Sequence, residues 1–363
     1  MAPRGNKEGL LRIAWGERHL PVVAHALFSG WMLSFLFEGQ IIYALARLHQ
    51  ISPTFLVFSG IAACFGGLLL GGLLINTKRR AKRLFLHSYP LCIPLSLIFL
   101  FPPTVLWNLA MIGGSFLAGI STAAWGFYLK ESPRKERFKT VADLLILSNL
   151  FMILLNVTAI HVSVRLAVIA SALLLAGAFF AALQLPEADD SRSTPAVIEK
   201  IPFNLIQLLG FLYVFIFIIT INSGLMYQVF GSAFAHLSWL SSWYWALPYI
   251  AALLLVRNSF PGKDRGNLLY IGISMIGLSF IGFLYLNRSV PAYLLINTLM
   301  LGACGVYDLF WWTTLGEMLD FHANPALILG TGLAANVLGV FTGGVFGQNT
   351  DPQGLPSSLL ALT

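Results

Sequence analysis

Residues 297–322 read NTLMLGACGVYDLFWWTTLGEMLDFH, a membrane-spanning helix that nevertheless carries Asp308 inside its apolar run. Gly302, Ala303 and Gly305 precede the acid, and Trp311 and Trp312 follow it. At helical spacing, Leu301, Cys304 or Gly305, Asp308, and Trp311 or Trp312 share one face. An ionisable group in a membrane helix costs at least ~2.5 kcal/mol unless water or a partner relieves it. Such a residue therefore marks a functional site by default.

The surrounding chain has the composition of a polytopic membrane protein. It has 363 residues, 57% hydrophobic and 10% charged, with a mean hydropathy of +0.79. Soluble domains carry about 25% charged residues. The net charge of +7 does not call for nucleic acid, because the basic residues fall in short loops between apolar runs. Cys64, Cys92 and Cys304 lie in apolar runs without metal-ligand spacing and read as packing residues. No Walker A, zinc-ligand, Gly-x-Ser-x-Gly or haem-attachment pattern appears. No cofactor is implied, and no nucleophile–base or metal constellation points to an enzyme.

Runs long enough to cross a bilayer, each needing roughly 20 apolar residues, fall at 22–46, 54–76, 84–101, 104–128, 141–161, 164–185, 204–229, 236–256, 267–286, 291–314 and 325–347. Proline and glycine punctuate the connections, as in Ser52-Pro53, Pro102-Pro103, Pro261-Gly262 and Asn324-Pro325. After the polar QNTDPQG comes LPSSLLALT, which reads as the opening of a twelfth span.

The basic residues then orient the spans. With a cytoplasmic N-terminus, the inner segments hold Arg4, Lys7, Arg12 and Arg18, then the run Lys78–Arg83, then Lys130 to Lys139, Arg192, Lys200, Arg257, Lys263 and Arg265. The outer segments hold Arg47, Arg165 and Arg288. The expected organisation is an N-terminal segment 1–21, a six-helix bundle 22–185, a cytoplasmic linker 186–203, and a second bundle 204–363 of five helices and the start of a sixth.

Internal repetition agrees with that division. Gly119, Trp125 and Glu131 in span four recur at one offset as Gly305, Trp311 and Glu317 in span ten. Ser29-Gly30-x-Met32 matches Ser223-Gly224-x-Met226, and Asn149 matches Asn336. At the position equivalent to Asp308, span four offers Ala or Thr.

Polar side chains are unevenly shared among the spans. Spans one, four, seven and ten carry His25, Glu38 and Gln40; Asn108 and Ser115; Asn222 and Gln228; Asn297 and Asp308. The cores of spans three, six and nine, LCIPLSLIFLF, LAVIASALLLAGAFF and YIGISMIGLSFIGF, offer only serines, while five and eleven add Asn149, Asn156 and Asn336. Polar groups facing lipid are penalised and those facing a cavity are not. Spans one, four, seven and ten therefore lie towards an interior.

This arrangement of six plus six spans, a cytoplasmic central linker and polar helices one, four, seven and ten resembles the major facilitator superfamily. Members carry a Gly-x-x-x-Asp-Arg-x-Gly-Arg-Arg-like motif after span two. Here the segment runs from Gly72 through Leu73, Leu74 and Ile75 to Asn76, Thr77, Lys78, Arg79 and Arg80. Asn76 and Thr77 replace the acid and first arginine, so the resemblance makes Gly72, Asn76, Arg79 and Arg80 a degenerate gating motif. A second resemblance is to the transporter-like sensor module of LuxR-type regulators, carried by Asp-Leu-Phe-Trp-Trp followed by Gly316-Glu317-Met318. Its helix-turn-helix output domain is absent from this chain.

The resemblance implies an all-α protein in a bacterial inner membrane, with two pseudo-symmetric bundles around a cavity. Its function would be secondary active transport of a small solute with proton or cation coupling. The alternative is a non-transporting sensor signalling to a cytoplasmic partner. Glu38 and Asp308 are the first choices for binding or coupling. Asn222, Gln228, Asn297 and Asn108 can hydrogen-bond a solute, or tie helix to helix at about 0.6 kcal/mol each. Trp311 is a cavity wall or an interfacial anchor. Two acids and several amides suit a neutral, polar or cationic solute. The partners are that solute and the lipid bilayer, with no direct nucleic-acid binding.

Overall fold

A computed structural model describes residues 19–35, 39–186, 205–259 and 265–349. Residues 1–18, Glu38, most of the expected linker and the expected start of a twelfth span lie outside the described residues. The described chain is helical throughout. In the first half, α1 (Leu20–Phe35) and α2 (Gln40–His49) share the first apolar run, followed by α3 (Thr54–Leu74) and α4 (Lys78–Leu97). Next come α5 (Val105–Ala124), the short α6 (Gly126–Glu131), α7 (Arg137–Val157) and α8 (Val164–Leu183). The second half contains α9 (Leu205–Ala233), the short α10 (Ser238–Tyr244), α11 (Ala246–Ser259), α12 (Arg265–Tyr285), α13 (Val290–Met318) and α14 (Pro325–Asn349). Ten segments are long and apolar enough to cross a membrane, and α9 adds a further helix of 29 residues. This is a multi-pass membrane protein.

The first span, expected at 22–46, runs over Leu20–His49 and contains both α1 and α2, with Gly39 in extended conformation just before α2. A Cβ on Gly39 would sit 2.2 Å from the Ser34 carbonyl oxygen, so only glycine passes that point. The amide opening α2 is satisfied from another helix, since Gln40 N donates to Asn156 Oδ1 at 3.1 Å. Other helix starts use local caps. Thr77 accepts from Arg80 N, and Thr104 accepts from Leu106 N.

Helices in lipid gain no hydrophobic drive from touching one another, so they associate through close packing at small residues. Both halves do this at equivalent glycines. In the first half, a Cβ on Gly119 of α5 would lie 2.2 Å from the Cys64 carbonyl oxygen of α3. In the second, one on Gly305 of α13 would lie 2.9 Å from the Tyr249 carbonyl oxygen of α11. Likewise Gly30 brings α1 against Phe151 and Ser148 of α7, and Gly224 brings α9 against Val340 and Gly344 of α14. The sequence repeat is thus a repeat of packing.

The halves meet along two seams, α3 against α14 and α7 against α11. Helices α4, α8 and α12 lie at the outside and expose Leu91, Leu173, Phe180, Tyr270, Leu278 and Ile281, as a surface in contact with acyl chains requires.

The glycine contacts give a first prediction. Gly119→Ala should force α5 away from α3 and cost ~1–3 kcal/mol by overpacking. Gly66→Ala, where a Cβ meets nothing within 4 Å, should be neutral or slightly stabilising. Thermal unfolding of both variants in detergent checks this, and equal melting temperatures would contradict the packing account.

Candidate functional site

A cavity of about 160 Å³ lies between the halves. The first half lines it with Ser29 and Met32 of α1, Cys64 and Leu68 of α3, Thr122 of α5, and Ser148 and Asn149 of α7. The second half supplies Thr220 and Ser223 of α9, Tyr249 of α11, Cys304, Asp308 and Trp312 of α13, and Asn336 and Val337 of α14. None of the lining residues comes from α4, α8 or α12, the helices whose sequences are lipid-clean.

The repeat pairs converge here. Ser29 and Ser223 both line the cavity, as do Asn149 and Asn336. The offset that relates Gly119 to Gly305 also relates Thr122 to Asp308, and both of these face the same space. The cavity is therefore pseudo-symmetric in shape and asymmetric in charge. Thr122 uses its hydroxyl locally, donating to the Ala118 carbonyl at 2.9 Å.

Asp308 is half-buried, and its carboxylate is held at both oxygens. Tyr249 Oη donates to Oδ2 at 2.7 Å. Trp311 Nε1, one turn along the same helix, donates to Oδ1 at 3.1 Å. Trp311 itself is buried and stacks on Trp312, whose ring also meets Trp125 across the halves at 6.2 Å. Among the described residues no cation pairs with Asp308, and no Lys, Arg or His lines the cavity.

The basic end of the bundle is closed beneath this cavity by bonds that cross from half to half. Arg137, 3% exposed at the start of α7, donates to both oxygens of Asp320 at 2.7 and 2.8 Å and to the Gly316 carbonyl at 2.9 Å. Its remaining donors reach Lys130 O and Ser132 O in its own half. Lys130 Nζ donates to the His322 carbonyl, and Asn324 Nδ2 to the Gly72 carbonyl at 2.8 Å. On the other seam, Arg257 of α11 makes a bidentate pair with Asp143 of α7 at 2.5 and 3.0 Å. Lys78–Glu131 ties α4 to α6 within the first half.

No protein-family model matches the chain, and no curated protein sequence matches it. Solved structures do. The chain superposes on the major facilitator superfamily proton:xylose symporter XylE, bound to 6-bromo-6-deoxy-D-glucose, with a TM-score of 0.65 and 16% identity. That match covers 95% of this chain and 89% of the symporter. A human organic anion transporter, MFSD10 (TETRAN), matches with a TM-score of 0.65 and 12% identity over 95% of this chain and 96% of its own. The chain has the major facilitator fold.

Within that fold, the residues singled out from sequence take different places. Asp308 lines the central cavity, and Trp311 positions it from behind without lining the space. Asn297 is buried further along α13 with its Nδ2 unpartnered, and does not line the cavity. Asn108 is half-buried near the start of α5, also away from it. The side chains of Asn222 and Gln228, like Glu38, lie outside the described residues; Thr220 and Ser223 on the same helix do reach the cavity. Gly72 packs against Ala326 and Leu327 of α14, while Arg80 bonds back to Asn76 Oδ1 and Leu74 O. Arg79 is exposed.

Sequence reasoning missed Tyr249, because span eight carries no charge or amide to draw attention to it. It also missed Thr122 as a cavity residue, although the repeat offset points to that position.

The closure is testable through Cys304, which lines the cavity. With Cys64 and Cys92 replaced by serine, Arg137→Ala should raise labelling of Cys304 by a thiol reagent applied at the basic end. Losing one partner of a buried pair costs ~3–5 kcal/mol, enough for a rise of about tenfold or more. Unchanged labelling would show that Arg137 does not close that end.

Proposed function

We propose that this protein is a secondary transporter of a small solute, working by alternating access of the cavity that holds Asp308. One observation carries the reading: a cavity holding a carboxylate at the interface of two repeats, closed at one end by polar bonds several of which cross from one repeat to the other. Separating the halves at the basic end exchanges these polar contacts for water, so the exchange is close to balanced in free energy. The glycine contacts inside each half stay intact. Residues 22–185 and 204–363 then move as two bodies joined by the 186–203 linker.

In this scheme Asp308 is the binding or coupling group. A carboxylate with no cationic side chain beside it among the described residues, at the depth of a membrane, calls for a neutralising proton, cation or cationic solute in at least part of the cycle. Gly72, Asn324, Arg137 and Asp320 serve the closed end, and Asn76, Arg79 and Arg80 flank that end as a basic turn. The one-sided distribution of Lys and Arg favours a cytoplasmic N-terminus in a bacterial inner membrane, so the sealed end faces the cytoplasm. XylE is a proton:xylose symporter and MFSD10 an organic anion transporter, which supports a small-solute cargo without naming it.

The test is a reversible tether. Cysteines at Asp143 and Arg257, introduced into a chain without Cys64, Cys92 and Cys304, can be joined by a bifunctional thiol reagent. Proteoliposomes should exchange small neutral or cationic solutes, lose that exchange when tethered, and regain it on cleaving the tether. Saturable ligand binding with no flux under any imposed gradient would sink the transport reading in favour of a sensor.

A further inference from the structure

We infer that the cavity is built for a small organic ammonium compound, bound through its charged nitrogen to Asp308. The inference rests on the reading of this cavity as the solute site, and adds the chemical class of the solute. Three observations converge on it.

The first is charge. Among the described residues the lining contains a carboxylate and no Lys, Arg or His, so an anionic solute would meet its own sign in a medium of low dielectric. Tyr249 and Trp311 hold Asp308 in place with neutral donors only. A carboxylate offers about four acceptor positions, and these two bonds leave roughly half for an ammonium group. The charge-assisted hydrogen bonds made there are about twice as strong as neutral ones.

The second is the wall around the acid. Trp312 lines the same space, and Tyr249 is fixed to the carboxylate itself. Aromatic faces within about 6 Å of a cation attract it. Met32, Leu68 and Val337 line the same space and give an aliphatic body apolar contact. The pseudo-equivalent of Asp308 is Thr122, so among the described lining residues a single charge is presented, on one wall. That favours a monocation.

The third is size. A cavity of about 160 Å³ is close to the engineered cavity of ~150 Å³ that accommodates benzene. The fitting solute has six to ten non-hydrogen atoms, by that comparison at about one ring.

A charge-switch series tests this on the full chain in lipid nanodiscs at neutral pH. The probes are cyclohexylamine, cyclohexanol and cyclohexanecarboxylate, which share one ring and differ in charge. Calorimetric titration should show the amine binding about tenfold or more tighter than the alcohol, because the amine alone adds an ion pair in low dielectric to the hydrogen bond that either probe donates to the carboxylate. The carboxylate should not bind. Asp308→Asn should reduce the amine to the affinity of the alcohol, and a melting temperature no lower than that of the parent chain certifies that the variant is folded. Asp308→Glu should restore most of the preference. Equal affinity for amine and alcohol, or amine binding unaffected in Asp308→Asn, overturns the inference. Tether-sensitive flux without any charge preference would remove this inference and leave transport standing. A charge preference lost in Asp308→Asn, with no flux of any solute, would do the reverse.

Discussion

Backbone contact at glycine holds each half of this protein together, and nothing else in the membrane could do so as firmly. Water expulsion gives helices no reason to associate once they are surrounded by acyl chains, so dispersion at short range and a few hydrogen bonds must suffice. Gly119 against Cys64 and Gly305 against Tyr249 bring carbonyl oxygens to distances at which a Cβ has no room. These contacts lie inside a half. The bonds between halves at the basic end have another chemistry: guanidinium to carboxylate, ammonium and amide to carbonyl. Glycine packing reaches across the seam too, where a Cβ on Gly330 would lie 2.5 Å from the Leu68 carbonyl oxygen; the division between the two bodies is marked by the polar bonds added there.

That division gives the repeat its functional meaning. Duplicated glycines and serines produce duplicated packing and a cavity with matching walls. Departures from the duplication are then the informative positions. Asp308 facing the same cavity as Thr122 is the clearest departure. It sets a single charge into an otherwise balanced space, and the solute must come to terms with that charge from one side. Trp125 and Trp311 diverge in the same manner: one donates to the Pro21 carbonyl, the other to the acid that its own half alone possesses.

Much of this was legible in the chain before any coordinates. Hydropathy and basic loops gave the spans, and the clean sequences of spans three, six and nine matched α4, α8 and α12 at the lipid face, because lipid penalises polar groups wherever they touch it. The site was less legible. An amide at the right depth does not reveal which way it points, and Asn297 and Asn108 turned out not to face the cavity. Tyr249 could not be singled out, since a tyrosine in an apolar span is as much a packing residue as a donor. The break near Gly39 was invisible to an average over the run, because one glycine among apolar residues scarcely alters hydropathy. It took the position of the Ser34 carbonyl to give that glycine its meaning.

The break itself has a mechanical consequence. Helix α2 is separated from α1, and its first amide is anchored to Asn156 at the far end of α7. It rests against α8 and the π-helical turn at Thr158–Val162 as well. A continuous helix would act as a rigid lever, turning a small tilt near Ser29 into a large sweep at the membrane surface. Because Gly39 leaves helical geometry before α2, α1 and α2 do not form one rigid rod there, and the Asn156 bond holds α2 to the first half.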